Sequence, residues 1–165
     1  MSTTEETLML AREIAGAWDW ATEVVQPEEN RLDVYLKNPD DLVAIVTGLR
    51  VKRLGYLAAI TGLDLGTEAG ELEVLYHFCA GAAVITLRVR LNRQETAVAS
   101  LSELIPSAEP YERELREMYG VTINGLVAPN YLYLPDDWPT GVYPMRRDFD
   151  PQSLLAGDGA RTVTE

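Results

Sequence analysis

The sequence predicts an α+β fold: a mainly antiparallel or mixed sheet with helices packed on one face, two layers deep, followed by an extended C-terminal segment. Three observations predict it. Segments with the period-two alternation of strands outnumber those with helical periodicity. Two hairpin patterns precede the last helical pattern. Past Pro135 the periodicity ends, and Pro, Gly and charge take over. Strands that outnumber helices, with two hairpins before the last helix, argue for an antiparallel sheet with helices on one face.

Each element has a local reason. Residues 3–17 read as a helix. Thr3 and Glu6 fit a capping box, and Leu8, Leu10, Ala11, Ile14 and Ala15 form an apolar stripe. Trp18 and Trp20 follow at its exit. Residues 21–25 and 31–36 read as short strands around the polar turn Gln26–Asn30; Leu32, Val34 and Leu36 share one face. Asn38 caps a helix whose first position is Pro39. Asp40 and Asp41 sit at the positive end of its dipole, and it runs to about Arg50. Tyr56 to Asp64 reads as a strand ended by the turn from Gly66 to Gly70. Leu72, Val74, Tyr76 and Phe78 alternate, as do Ile85, Leu87, Val89 and Leu91. A two-residue Gly81-Ala82 loop, suited to a type II′ turn, pairs Phe78 with Ile85, Tyr76 with Leu87 and Val74 with Val89. The other face then pairs Glu73 with Arg90 and His77 with Thr86, and a one-residue slip would mix the faces. Residues 96–105 are ambiguous between helix and strand. Glu109 to Tyr119 reads as a helix closed by Gly120 in a left-handed cap. Short extended pieces are expected at Val121–Ile123 and Tyr131–Leu134. Residues 1–134 are thus expected to form the core, and 135–165 an extended docking segment ending in a mobile tail.

Composition narrows the function. The chain has 165 residues, one domain's worth, with 47% hydrophobic and 24% charged residues, the makeup of a globular protein with a real core. No apolar run approaches the ~20 residues of a spanning helix. The start, Met1-Ser-Thr-Thr-Glu-Glu, carries no basic or apolar leader, so no targeting segment is expected. A net charge of −12 repels phosphate backbones and anionic lipids, which argues against nucleic-acid and direct membrane binding. With one cysteine, Cys79, and one histidine, His77, the chain cannot by itself supply a disulfide, a tetrahedral Cys/His zinc site or an iron–sulfur cluster. His77 and Cys79 share a strand face, the placement of a base and a nucleophile; Cys79 also reads as a small buried hydrophobe near a turn.

Two segments could carry chemistry. On the helix from Tyr111 to Gly120, the residues Tyr111, Leu115 and Met118 form an apolar face. Glu109, Arg113 and Glu117 form a ladder on the opposite, solvated side, and Glu112 is placed to pair with Arg116. Glu114 lies about 60° from Tyr111, beside the apolar stripe, where a carboxylate should seek a cation. The second segment runs from Leu134 to Phe149. Asp136 and Asp137 are adjacent carboxylates, Trp138 an aromatic anchor, and Arg146 and Arg147 are cations for Glu114 or for a partner's carboxylates. There is no Walker A motif, G-x-G-x-x-G or G-x-S-x-G. A free-standing carboxylate enzyme using Asp136, Asp137 and Glu114 stays as an alternative to a docking protein.

These two segments, in this order, resemble the C subunit of proton-pumping NADH:quinone oxidoreductase, respiratory complex I. The family's helix motif is matched by Glu112-Arg113-Glu114 with Glu117, Met118, Tyr119 and Gly120. Its later motif is matched by Asp137-Trp138, Gly141 and Pro144-Met145-Arg146-Arg147-Asp148-Phe149. Thr61-Gly62-Leu63-Asp64 and Tyr76-His77 also fall where the family has similar residues. The stretch from Gly125 to Tyr133 lacks the Gly-His-Pro-Asp-Leu-Arg-Arg usual there. The run from Trp138 to Pro144 also resembles the homologous subunit of membrane-bound energy-converting [NiFe] hydrogenases.

The resemblance implies a peripheral-arm subunit on the cytoplasmic side of the membrane, held there only through partners. It implies contacts with the large quinone-site subunit and with iron–sulfur subunits. It implies no catalytic residue, metal or cofactor on this chain; NADH, FMN, iron–sulfur clusters and quinone belong to the parent complex. The partner-interface candidates are Glu112, Arg113, Glu114, Asp136, Asp137, Trp138, Arg146, Arg147 and Asp148.

Overall fold

Ten helices and strands follow one another along a computed structural model that describes residues 3–152 and 154. The tail expected over 150–165 falls largely outside the described residues. In chain order the elements are α1 (Thr4–Gly16), β1 (Ala21–Glu28), β2 (Arg31–Leu36), α2 (Leu42–Val51), β3 (Tyr56–Asp64), β4 (Glu71–Ala80), β5 (Ala83–Asn92), β6 (Ala97–Ala99), α3 (Glu109–Tyr119) and β7 (Thr122–Asn124). Short 3-10 turns at Pro39–Asp41 and Pro106–Ala108 lead into α2 and α3.

Local chemistry sets the ends. Thr3 closes the capping box: its hydroxyl accepts from the Glu6 amide at 3.2 Å, and its own amide donates to the Glu6 carboxylate at 2.9 Å. Asn38 accepts from the Asp40 amide at 3.1 Å, but Pro39–Asp41 winds as a 3-10 turn before the α-helix begins. The tighter first turn is a usual way to satisfy orphan groups at a helix end.

The main sheet has five strands in the order β1-β2-β5-β4-β3. All neighbours are antiparallel except β2 and β5, which run parallel, so the sheet is mixed. The β4–β5 register is the one the alternation dictates: Phe78 opposes Ile85, Tyr76 Leu87, Val74 Val89, Glu73 Arg90 and His77 Thr86. Gly81 turns the hairpin with φ +61°, as a type II′ loop requires. The small second sheet pairs β6 with β7 in parallel, which gives the patternless stretch after residue 96 a strand of its own.

The two layers share one core. Leu32, Val34, Leu72, Val74, Tyr76, Phe78, Ile85, Leu87 and Val89 face the helices and are essentially solvent-free. Leu8, Ala11 and Ile14 of α1, Ile45 and Leu49 of α2 and Leu115 of α3 close over them. The far face of the sheet carries charge. Arg88 forks between Glu73, at 2.7 Å, and Asp33, at 3.0 Å, and stacks over the Tyr35 ring at 4.8 Å. Both acids raise the Arg88 pKa further, so it stays charged. On the same face His77 meets the Thr86 hydroxyl at 3.1 Å, and burial lowers its pKa, with Arg31 adding to the effect. Among the described residues no helix is long and apolar enough to cross a membrane.

Candidate functional site

The site grows from α3, where Pro110 sits in the first turn and Gly120 ends the helix in the left-handed region at φ 69°, ψ 29°. Gly120 is needed twice. A side chain would be strained at that φ, and a Cβ would stand 2.3 Å from the Tyr143 ring. The ring therefore lies flat on the helix end, and the chain from Tyr143 onward follows it.

The charged residues of α3 point differently from their helical spacing. Glu112, read as paired with Arg116, is 1% exposed. It accepts from the Ser100 hydroxyl at 2.6 Å and the Leu101 amide at 2.5 Å, and so ties down the loop after β6. Burial raises its pKa against those two hydrogen bonds, and Glu109 adds to the rise. Glu117, read as solvated, has a side chain with 0% exposure. It accepts the backbone amides of Leu132, of Tyr133 at 2.8 Å and of Leu134 at 3.3 Å. Those amides curl around the carboxylate, which is why Tyr131–Leu134 forms bends and not the expected extended piece. The pairing of Arg113 with Glu109 holds, at 3.4 Å.

The two arginines of α3 complete this clamp. Arg113 donates to the carbonyls of Asn130 at 3.2 Å and Tyr131 at 3.1 Å. Arg116 donates to those of Ala128 at 2.5 Å and Asn130 at 3.1 Å. Donors and acceptor on one helix thereby fix the whole connection from residue 128 to 134. This stretch has no strand partner, and backbone groups without one must find side chains. That need was the available signal for the inward turn of Glu117, and the i,i+4 charge pattern masked it.

Glu114 is different. It is half-buried, and among the described residues it makes no hydrogen bond or ion pair. Its charge is felt by Tyr119, whose pKa burial raises first, then Glu114 and Asp64.

The second segment is stitched onto the end of α3. The Met145 amide donates to the Met118 carbonyl at 3.1 Å, and Arg146 Nε to the Tyr119 carbonyl at 2.8 Å. The Arg146 guanidinium lies 4.5 Å over the Tyr143 ring. Trp138 is half-buried; its indole N–H donates to the Val142 carbonyl at 2.9 Å, and its ring sits 6.5 Å from that of Phe149. Asp136 and Asp137 are exposed in a turn. Asp148 pairs with Arg93, outside both motifs. Neither Arg146 nor Arg147 meets Glu114; Arg147 is exposed, and its guanidinium has no carboxylate partner among the described residues. The loop after β7 and the second segment also carry exposed apolar side chains: Val127 at 91%, Tyr133 at 62% and Met145 at 56%.

Among the described residues the two segments therefore leave a carboxylate, Glu114, and a guanidinium, Arg147, without ion-pair partners, and expose apolar side chains beside them in sequence. Among the described residues no cluster of three or more His, Cys, Asp or Glu could hold a metal ion.

Comparison with known proteins shows the family and the fold. The family model described as respiratory-chain NADH dehydrogenase, 30 Kd subunit, matches residues 35–154. The C subunit of NADH-quinone oxidoreductase from Moorella thermoacetica is 36% identical over 117 residues, covering 69% of this chain and 77% of that protein. Formate hydrogenlyase subunit 5 of Escherichia coli is 34% identical over 110 residues, covering 65% of this chain and 19% of that protein. The chain spans less than half the length of some curated relatives it matches, 43% in the case of the corresponding oxidoreductase protein from Chloroherpeton thalassium. A solved structure of the membrane-bound sulfane sulfur reductase, an archaeal respiratory membrane complex, contains a chain of the same fold. That chain superposes with a TM-score of 0.74 over 96% of this chain and 94% of its own length, at 22% identity.

Proposed function

This chain belongs to the family of the respiratory-chain NADH dehydrogenase 30 Kd subunit, and from that premise we propose that it is a non-catalytic, peripheral-arm subunit of a complex I-type oxidoreductase. It docks onto the large subunit that shapes the quinone site. It supports electron transfer from NADH to quinone, coupled to proton translocation, by lending shape and ion pairs while carrying no redox group itself. It sits on the cytoplasmic side, held to the membrane through its partners.

One observation carries the reading. The signature helix uses Glu112, Arg113, Arg116 and Glu117 to hold its own neighbouring loops, while Glu114 on the helix and Arg147 on the later segment stay unpaired among the described residues. A half-buried carboxylate without a cation costs free energy in the free chain, and a partner's guanidinium recovers it. Val127, Tyr133 and Met145 supply the apolar contact such a dock needs. In this reading Glu112 and Arg113 act through the loops they hold. Glu114, Asp136, Asp137, Trp138, Arg146 and Arg147 line the interface.

A second parent complex is favoured by specific relatives. Formate hydrogenlyase subunit 5 and hydrogenase-4 component G of Escherichia coli are both similar to this chain, over 110 and 125 residues. The same dock would then meet a nickel-type large subunit. Affinity capture of the chain from its native host, followed by mass spectrometry, separates the two. Flavoprotein NADH-binding subunits in the particle support the first reading, and a nickel-containing large subunit supports the second. Capture of no large redox subunit refutes both.

A further inference from the structure

We infer that Asp64 and Arg93, which lie outside both signature segments, are positioning residues that latch the segment from Tyr143 to Asp148 in the shape its partner reads. The inference rests on the docking reading above and extends it to two side chains that are nearly buried in the free chain.

Asp64 ends β3 and is 3% exposed. One carboxylate oxygen accepts from the Gly66 amide at 2.8 Å and from the Arg93 guanidinium. The other accepts from the Arg147 amide at 2.8 Å, across 83 positions of sequence. Arg93 follows β5, and its own amide donates to the Gly70 carbonyl at 2.9 Å. The far end of its guanidinium reaches Asp148. The turn after β3, the exit of β5 and the docking segment therefore meet at two side chains that are almost solvent-free.

Such a knot fails asymmetrically. The Asp64 side chain is 2% exposed and that of Arg93 9%, so removing either strands the other without water. The outer arm, Asp148, is 53% exposed and matters less. The unpaired Arg147 guanidinium starts at the residue whose amide Asp64 holds. Loss of that bond frees its direction, while Met145 and Arg146 stay fastened to Met118 and Tyr119. The expected result is a docking segment that opens at its end over an intact core.

The test uses the full chain with Asp64→Asn, Arg93→Ala, Arg93→Lys and Asp148→Asn. Hydrogen exchange of the free protein should speed up by roughly tenfold or more at residues 146–149 for Asp64→Asn and Arg93→Ala. Exchange in the β4–β5 hairpin should not change. Arg93→Lys, which keeps a charge toward Asp64, should recover part of the protection, and Asp148→Asn should fall between. Capture of the large subunit from the native host should weaken in the same order. Unchanged exchange at 146–149 overturns the latch, and so does faster exchange with full capture. Uniform acceleration across the core in Asp64→Asn and Arg93→Ala, with no local change at 146–149 in Asp148→Asn, also overturns it, by showing a merely structural role. If the unaltered chain captures no large subunit, the docking reading fails, while the exchange data still decide whether the latch exists.

Discussion

Glu117→Ala and Glu114→Ala alter two carboxylates three residues apart on one helix, and the structure assigns them opposite consequences. Glu117 accepts close bonds from the Leu132 and Tyr133 amides, the latter at 2.8 Å, and a longer one from Leu134 at 3.3 Å. A hydrogen bond to a charged group contributes ~1.5–3 kcal/mol, so the two close ones alone give ~3–6 kcal/mol. Leu132 and Leu134 are only half-buried and Tyr133 is exposed, so the freed amides regain some water. We expect a net loss of ~2–4 kcal/mol, a large share of the ~10 kcal/mol typical of a domain. Urea unfolding followed by tryptophan fluorescence should show the midpoint falling by ~1–2 M at an unchanged slope of ~2 kcal/mol/M. Glu114 makes no bond among the described residues, so Glu114→Ala should stay within ~0.5 kcal/mol of the parent chain while capture of the large subunit is lost. The reasoning is refuted if Glu117→Ala costs less than ~0.5 kcal/mol, or if Glu114→Ala is the more destabilising of the two.

Three further substitutions probe separate parts of the account. The buried Glu112 carboxyl titrates above the ordinary glutamate value, so the folded state holds its proton more tightly than the unfolded chain. Stability should therefore fall as pH rises from the ordinary value through the raised one. Glu112→Gln keeps an acceptor for the Leu101 amide and should flatten that slope in urea titrations run across it. Gly120→Ala should cost ~1–2 kcal/mol from the left-handed backbone alone, and should speed hydrogen exchange at residues 143–146 by pushing Tyr143 off the helix end. Arg88→Met leaves Asp33, 10% exposed, without its cation and leaves Glu73, 1% exposed, only the longer pair with Arg90 at 3.8 Å, and should cost about 3 kcal/mol. Calorimetry should show that loss as a fall in Tm of roughly 6–12 °C.

Local pattern made part of this molecule legible. The β4–β5 hairpin could be read to the residue because two period-two runs flank a two-residue loop opening with Gly81, which leaves one sensible register. The limits of α3 were equally plain from its apolar stripe and from Gly120. The parallel pairing of β2 with β5 was not, because it joins segments about fifty residues apart and leaves no trace in either. The inward turn of Glu112 and Glu117 was hidden for a related reason. Opposite charges at helical spacing look the same whether they face water or a loop, and what decided here was the loop's unpaired amides. The Asp64–Arg93 latch joins three distant segments, so neither signature motif points to it.

Met145 and Met9 offer the most direct test of docking. Both are exposed, at 56% and 57%, but Met145 lies beside Arg146 and Arg147, and Met9 lies on α1. Photo-methionine incorporated in the native host, followed by illumination of the assembled particle and peptide mass spectrometry, reads what each one touches. The account predicts adducts from Met145 to the large quinone- or nickel-type subunit, and their loss in Glu114→Ala. Adducts to that subunit from Met9 alone, or from neither residue, would contradict it.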